Sequence, residues 1–233
     1  MEAALPQHIA IIPDGNRRWA KQQGLKVVFG HRAGAQTTEN ILKEVLRLKI
    51  PYLTFWGCSV DNLVKRDPEE IKFLLALFEE HFTKLIENEA IHREQVNIQA
   101  YGLWRDYFTP GAKKATETMI ERTASYSRYH LTFLLGYSGI LEMTAACENL
   151  RTTSPSTPIT PEAIKQHLYT RELPPVDLAI RTGGEPHLSS GFMMWDMADA
   201  HLYFTETLWP DFSLPEFSKA LTSFSSAERR RGK

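Results

Sequence analysis

A chain of 233 residues with 42% hydrophobic and 24% charged side chains has the make-up of an ordinary soluble α/β protein, long enough to bury one large core. Its formal net charge of −1 argues against a nucleic-acid coat, so any anion it handles must be met by local clusters of Arg, Lys and His. Cys58 and Cys147 fall in no CxxC pattern, which speaks against a disulfide framework or a Cys-based zinc site and for a reducing, cytoplasmic setting. No apolar run approaches the ~18 residues that span a bilayer, and Met1–Pro6 lacks the basic and apolar regions of a signal peptide.

Short apolar runs alternate with longer segments of helical period, as βα repetition around a largely parallel sheet requires. In chain order the pattern predicts a strand at His8–Ile12 and a helix at Gly30–Leu48. A strand at Tyr52–Cys58, a helix at Pro68–Glu89 and a strand at Val96–Tyr101 follow. Next come a helix at Pro110–Ser125, a strand at Leu131–Gly136 and a helix at Gly139–Asn149. The Thr-, Ser- and Pro-rich stretch Arg151–Pro161 reads as an exposed edge loop within one domain covering residues 1–233. The chain closes with a helix at Pro161–Leu168, strands at Asp177–Arg181 and His201–Phe204, and a helix at Leu214–Ser225. Ile71, Leu74, Leu75, Phe78, Phe82, Leu85 and Ile86 lie at helical spacing, a stripe that by itself reads as core packing.

The chemistry gathers where strands end. Ile11-Ile12-Pro13-Asp14-Gly15-Asn16-Arg17-Arg18-Trp19 carries an apolar strand into Asp-Gly-Asn and then a basic helical start. That order places a carboxylate at the carboxyl end of a strand, where open α/β sheets hold ligands, beside backbone N–H groups suited to a diphosphate. Alone, the same residues read first as a turn with Asn16 as helix cap. Gly30-His31-Arg32-Ala33-Gly34 opens the next helix, and Ser59-Val60-Asp61-Asn62 follows the second strand, trailed by Lys65 and Arg66. Arg181-Thr182-Gly183-Gly184-Glu185 ends a later strand. Cations converging with one or two carboxylates on one rim suit a polyphosphate and a divalent metal.

The ordered set Asp14-Gly15-Asn16-x-Arg18-Trp19-Ala20, Gly30-His31-x-x-Gly34, Ser59-x-Asp61-Asn62, Asp177-Leu178-x-Ile180-Arg181-Thr182-Gly183-Gly184-Glu185 and Leu202-Tyr203-Phe204-Thr205 with Trp209-Pro210-Asp211-Phe212 resembles the cis-prenyltransferases, the undecaprenyl diphosphate synthase-like enzymes. The resemblance spans nearly the whole chain. It implies a six-stranded parallel sheet flanked by helices, an apolar tunnel over one face, a homodimer, Mg²⁺ and isoprenoid diphosphate substrates. It makes Asp14 the metal ligand and Gly15, Asn16, Arg17, Arg18, Trp19 and His31 the allylic-diphosphate side. Ser59, Asp61 and Asn62 position isopentenyl diphosphate and help remove its proton, with Lys65 and Arg66 beside them. Arg181 and Ser189 bind its diphosphate. The terminal Arg229-Arg230-Arg231-Gly232 resembles a tail that reaches the partner subunit's site.

Departures cluster on the homoallylic side. The family's second metal-site Glu before Leu-Tyr-Phe is His201 here, His187 stands for an Arg, and an extra residue precedes Phe192. Val27 replaces another Arg and Leu63 a Trp, while Asp196 and Asp199 lie close enough in sequence to restore a metal carboxylate. Bulky Phe55, Trp56 and Phe133 near strand ends point to a short tunnel. Three readings follow: regular coupling to a short or medium Z-prenyl diphosphate, irregular lavandulyl-type coupling with dimethylallyl diphosphate as acceptor, and a non-catalytic partner subunit. A greasy product also implies peripheral membrane contact at release.

Overall fold

The structure, a computed structural model, describes residues 5–153 and 158–227. In chain order it contains β1 (His8–Ile12), α1 (Asn16–Gln22), α2 (Val27–Arg47), β2 (Tyr52–Ser59), α3 (Val60–Lys65), α4 (Pro68–Glu87), α5 (Glu89–Arg93) and β3 (Val96–Tyr101). These are followed by α6 (Trp104–Tyr107), α7 (Pro110–Thr123), β4 (Tyr129–Tyr137), α8 (Gly139–Thr153), α9 (Pro161–His167), β5 (Leu178–Arg181), β6 (His201–Phe204) and α10 (Leu214–Ser226). The strands fall within two residues of their predicted bounds. The Arg229–Gly232 tail lies outside the described residues.

Four helix starts use one device. Asp67, Thr109, Thr160 and Ser213 each accept a first-turn backbone N–H on the side chain, with a proline just inside the helix. A cap oxygen satisfies an otherwise orphaned donor, and proline's fixed φ costs nothing where no N–H is needed, so these ends read directly from sequence. The start of α2 is less legible. It begins at Val27 rather than Gly30, and the glycines lie inside the helix because they face α1. A Cβ at Gly34 would sit 2.2 Å from Asn16 Oδ1, so only glycine permits that approach. The C-terminal end of α8 also runs on to Thr153, into the segment predicted as loop.

All strand pairs are parallel, in the order β3-β4-β2-β1-β5-β6. The chain moves from β1 to β2, skips outward to the edge strand β3, returns to β4 between β3 and β2, and then crosses to place β5 on the other side of β1. That reversal opens a crevice beyond the carboxyl ends of β1 and β5, the position where doubly wound sheets bind ligands. Strand alternation gives the sheet two buried faces. Ile9, Ile11, Phe55 and Phe133 pack toward α2, α4 and α7, while Ala10, Trp56 and Leu134 pack with Phe192, Met193 and Met197 on the opposite side.

Candidate active site

At the end of β1 the chain turns through Gly15, the left-handed N-cap of α1 with φ 111°. This turn holds Asp14 at the crevice. Its Oδ2 accepts Arg181 Nη2 at 3.0 Å, and its Oδ1 lies 3.2 Å from Arg18 Nη2. Its backbone carbonyl accepts Thr182 Oγ1 at 2.7 Å and Trp209 N–H at 3.0 Å, so two distant segments, the end of β5 and Trp209, fix this residue together with Arg18 of the adjoining helix. Gly183 (φ 86°) closes the arrangement: a Cβ there would stand 2.6 Å from Arg18 Nη2.

Arg181 is buried, and its Nη1 donates to His187 O at 2.5 Å and Ser189 Oγ at 2.7 Å. Its Nε is buried without a hydrogen-bond partner. The His187 backbone, not its ring, makes this contact: the side chain is 59% exposed. The extra residue of this loop is accommodated by positive φ at Ser190 (50°), Gly191 (64°) and Met193 (43°), local strain held in place by packing.

A second cluster lies one helix away. Glu70, in the first turn of α4 and only 8% exposed, accepts Arg66 Nη1 at 3.2 Å and pairs with Arg17 Nε at 3.5 Å. His31 Nε2 lies 3.0 Å from the same carboxylate. Burial pushes the His31 pKa down, so near neutrality it is a hydrogen-bond partner rather than a cation. Sequence reasoning missed Glu70. Asp67-Pro68-Glu69-Glu70 reads as ordinary first-turn acids, and nothing in the spacing signals that one of them is buried.

The Ser59–Asn62 loop takes its form from helix capping. Ser59 Oγ accepts Asn62 N–H at 3.0 Å and Asn62 Oδ1 accepts Ser59 N–H at 3.3 Å, the reciprocal box that starts α3. Both line the cavity described below. Asp61 and Lys65 do not: they pair with each other at 2.8 Å and are 63% and 70% exposed.

Three further residues singled out from the sequence do not line the cavity within this chain. His201 stands at the amino end of β6, opposite Leu178, so the register carries it down the sheet from Asp14. Its Nε2 bonds Ser223 Oγ at 2.9 Å, and within this chain it is no partner of Asp14. Asp196 faces the other side of the sheet, bound to Lys165 and Thr170. Trp19 gives its indole N–H to Asp211 at 2.8 Å and stays outside the cavity lining.

From this rim a cavity of about 1160 Å³ runs between α2, α4 and the sheet. Asp14, Gly15, Asn16, Arg17, Arg18, Val27, His31, Arg66, Arg181 and Ser189 line its mouth. Leu74, Phe78, Phe82 and Leu85 line its interior, so part of the stripe predicted as plain core is cavity wall. Phe55 and Phe133, stacked at 6.3 Å, do not block it: it continues to Leu131 and Ile91. It exceeds the roughly 300–1,000 Å³ of most small-molecule sites, as a long apolar ligand requires. Among the described residues no three His, Cys, Asp or Glu side chains gather as a metal cage, and no helix is long and apolar enough to cross a membrane.

Residues 12–232 match the family described as "Putative undecaprenyl diphosphate synthase". An isoprenyl transferase of Thermotoga maritima is 39% identical over 98% of this chain and 97% of its own length. A Thermus thermophilus isoprenyl transferase is 38% identical over 98% of this chain and 89% of its own. A Thermococcus kodakarensis protein named tritrans,polycis-undecaprenyl-diphosphate synthase (geranylgeranyl-diphosphate specific) is 35% identical over 98% and 88%. Among solved structures, lavandulyl diphosphate synthase from Lavandula x intermedia in complex with dimethylallyl diphosphate superimposes with a TM-score of 0.90 at 28% identity, covering 97% of both chains. With a phosphate-suited rim continuous with a long apolar cavity, and agreement from end to end, the chain is a prenyltransferase of the undecaprenyl diphosphate synthase family.

Proposed function

We propose that the protein condenses an allylic prenyl diphosphate with isopentenyl diphosphate, giving a Z-prenyl diphosphate of short or medium length. The observation that carries this is the continuity of a cationic, carboxylate-bearing mouth with an apolar cavity of about 1160 Å³. A diphosphate fits the first part and its prenyl tail the second.

Mg²⁺ fits this donor set. The ion is commonly held by one or two carboxylates together with substrate phosphates, and Asp14 is 32% exposed at the mouth with no protein cage around it. Bound there through Asp14, it would neutralise charge on the departing pyrophosphate. Arg17, Arg18 and the start of α1, where Gly15 and Asn16 lie, bind the allylic diphosphate. His31 and Arg66 are held beside them by Glu70. Arg181 and Ser189 receive the second diphosphate, and Asn62, whose amide oxygen is engaged by Ser59, offers its amide N–H to the incoming group. Asp61, Lys65, His187 and His201 contribute no side chain to the mouth within one copy of the chain.

Irregular coupling is the second reading, favoured by the likeness to the lavandulyl diphosphate synthase and by Val27 at the cavity mouth in place of a cation. A non-catalytic subunit is disfavoured by the intact Asp14–Arg18–Arg181 set. The homodimer is supported by the edge strand β6, whose Leu202 and Phe204 are exposed.

Purified protein is incubated with dimethylallyl, geranyl or farnesyl diphosphate, with and without isopentenyl diphosphate, and products are read by mass spectrometry. Regular Z-products should need isopentenyl diphosphate and vanish with EDTA, and the same preparation should elute as a dimer. A branched product from dimethylallyl diphosphate alone would replace this reading with the irregular one. A dominant long linear product would overturn the chain length.

A further inference from the structure

The cavity's side wall is not apolar throughout. Helices α2 and α4 both descend from the rim of the parallel sheet, and the cavity lies between them and the strands. Near the rim they are joined by His31 with Glu70 at 3.0 Å and by Arg32 over the Phe73 ring at 5.8 Å. Two turns farther down α2, Glu39 Oε1 meets His81 Nδ1 at 3.1 Å. Both side chains line the cavity, yet Glu39 is 38% and His81 22% exposed, so the pair stands between the apolar interior and solvent.

Below this bridge the cavity does not end. Leu46 on α2 and Leu85 on α4 still line it, about 10 Å beyond Glu39 at 1.5 Å per residue. The flanking side chains at that level, Lys43 and Lys84, are exposed, and their stems cover apolar surface while their ammonium groups stay in water. Lys84 is held by Glu80 on its own helix at 2.6 Å rather than by α2. The bridge is thus a polar crosspiece over a slot that is otherwise bordered by movable side chains.

We infer that Glu39 and His81 form a latch across the slot between α2 and α4, and that this latch determines how much growing apolar chain stays inside the cavity. With it closed, a tail that reaches the floor at Ile91 and Leu131 meets a wall and elongation stops. With it open, the tail leaves sideways past Lys43 and Lys84 and elongation continues. Neither residue touches the diphosphate end. Their effect should therefore appear in product length rather than in the chemical step. This rests on the prenyl-transfer reading, so the test has an arm that does not.

In the first arm, Glu39→Ala and His81→Ala are compared with wild type for product length by mass spectrometry. Each should lengthen the main product by about one five-carbon unit per 5.4 Å helical turn of wall released. The double variant should match the singles, because either one alone removes the bridge. The exchanged pair, Glu39→His with His81→Glu, should restore the wild-type distribution. In the second arm, n-alkyl phosphates of rising chain length are titrated by calorimetry. Wild-type affinity should stop improving at a shorter chain than that of the open variants. Folded variants with unchanged product lengths and an unchanged alkyl cut-off overturn the latch, as does an exchanged pair that behaves like the singles. A wild type that makes no product but shows the latch-dependent cut-off removes the prenyl-transfer reading and leaves the latch standing.

Discussion

The two halves of the rim solve the same problem differently. On the β1 side, Arg17 and Arg18 are 59% and 44% exposed, and the carboxylate that anchors the cluster, Glu70, sits behind it and is buried. Arg17 and Arg66 are tethered from the rear by Glu70, while Arg18 is paired at the mouth with Asp14 at 3.2 Å and Glu185 at 3.9 Å. On the β5 side, Arg181 is 5% exposed and spends its hydrogen bonds on Asp14, His187 O and Ser189 Oγ, leaving one buried N–H unpartnered. The first half presents charge to a ligand as it stands. The second is closed on itself and must exchange protein contacts for substrate contacts. A buried cation whose partners are already in place binds a new anion only at the expense of the old bonds, so the β1 half should dominate affinity and the β5 half should govern the second substrate.

Asp14 belongs to both halves, so removing it is the largest perturbation. Asp14→Ala should lower kcat by about two orders of magnitude or more while leaving the fold intact, because it takes away the group that organises charge opposite the leaving pyrophosphate. Retention of more than half of wild-type turnover at saturating Mg²⁺ would defeat both the metal role and the idea of a shared pivot. Glu70→Gln isolates the β1 half. Losing the charge behind Arg17 and Arg66 should raise KM for the allylic diphosphate about ten- to a hundredfold, the equivalent of one charge-assisted hydrogen bond. KM for isopentenyl diphosphate should stay near wild type; an equal rise in both would erase the distinction between the halves. The smallest effect belongs to His187→Ala. Since Arg181 uses the His187 carbonyl and the ring faces solvent, kcat/KM should change by less than about threefold. A large loss would show that the ring turns inward when substrate binds.

The strands were legible because short apolar runs framed by Gly, Pro and Asn have few alternatives, and the long helices because cap residues and prolines mark their starts. The short helices α3, α5 and α6 were not read, since one or two turns carry too few apolar positions to show a period. At the site, spacing alone brought Asp14, Arg18 and Arg181 to one rim. What escaped was everything set by depth or register. Glu70 looks like any first-turn acid, and the Glu39–His81 bridge joins positions 42 residues apart with no motif around either. The place of His201 was not legible because it adjoins Leu202-Tyr203-Phe204 in the chain, whereas in a strand three residues of rise, about 10 Å, separate it from the rim end at Phe204. Trp56 read as a tunnel residue and does line the cavity, although its ring also stacks on Phe192 at 5.5 Å.

The position of β1 between β2 and β5 also dictates when this protein becomes an enzyme during synthesis. Ile9 pairs with Leu53 on one flank and with Leu178 on the other, so the central strand stays half-zipped until most of the chain has left the ribosome. The β2, β3 and β4 ladder can close earlier, from residues 52–137 and their helices. Contacts so distant in sequence are entropically expensive and form late. Asp14, made among the first residues, therefore waits for Arg181 and Trp209. A nascent chain halted before β5 would carry a nearly complete cavity wall but no assembled mouth, exposing an apolar groove with nothing to hold a diphosphate. Such a chain is a natural client for chaperones, and nonsense variants after β4 should be lost to aggregation rather than persist as partial enzymes.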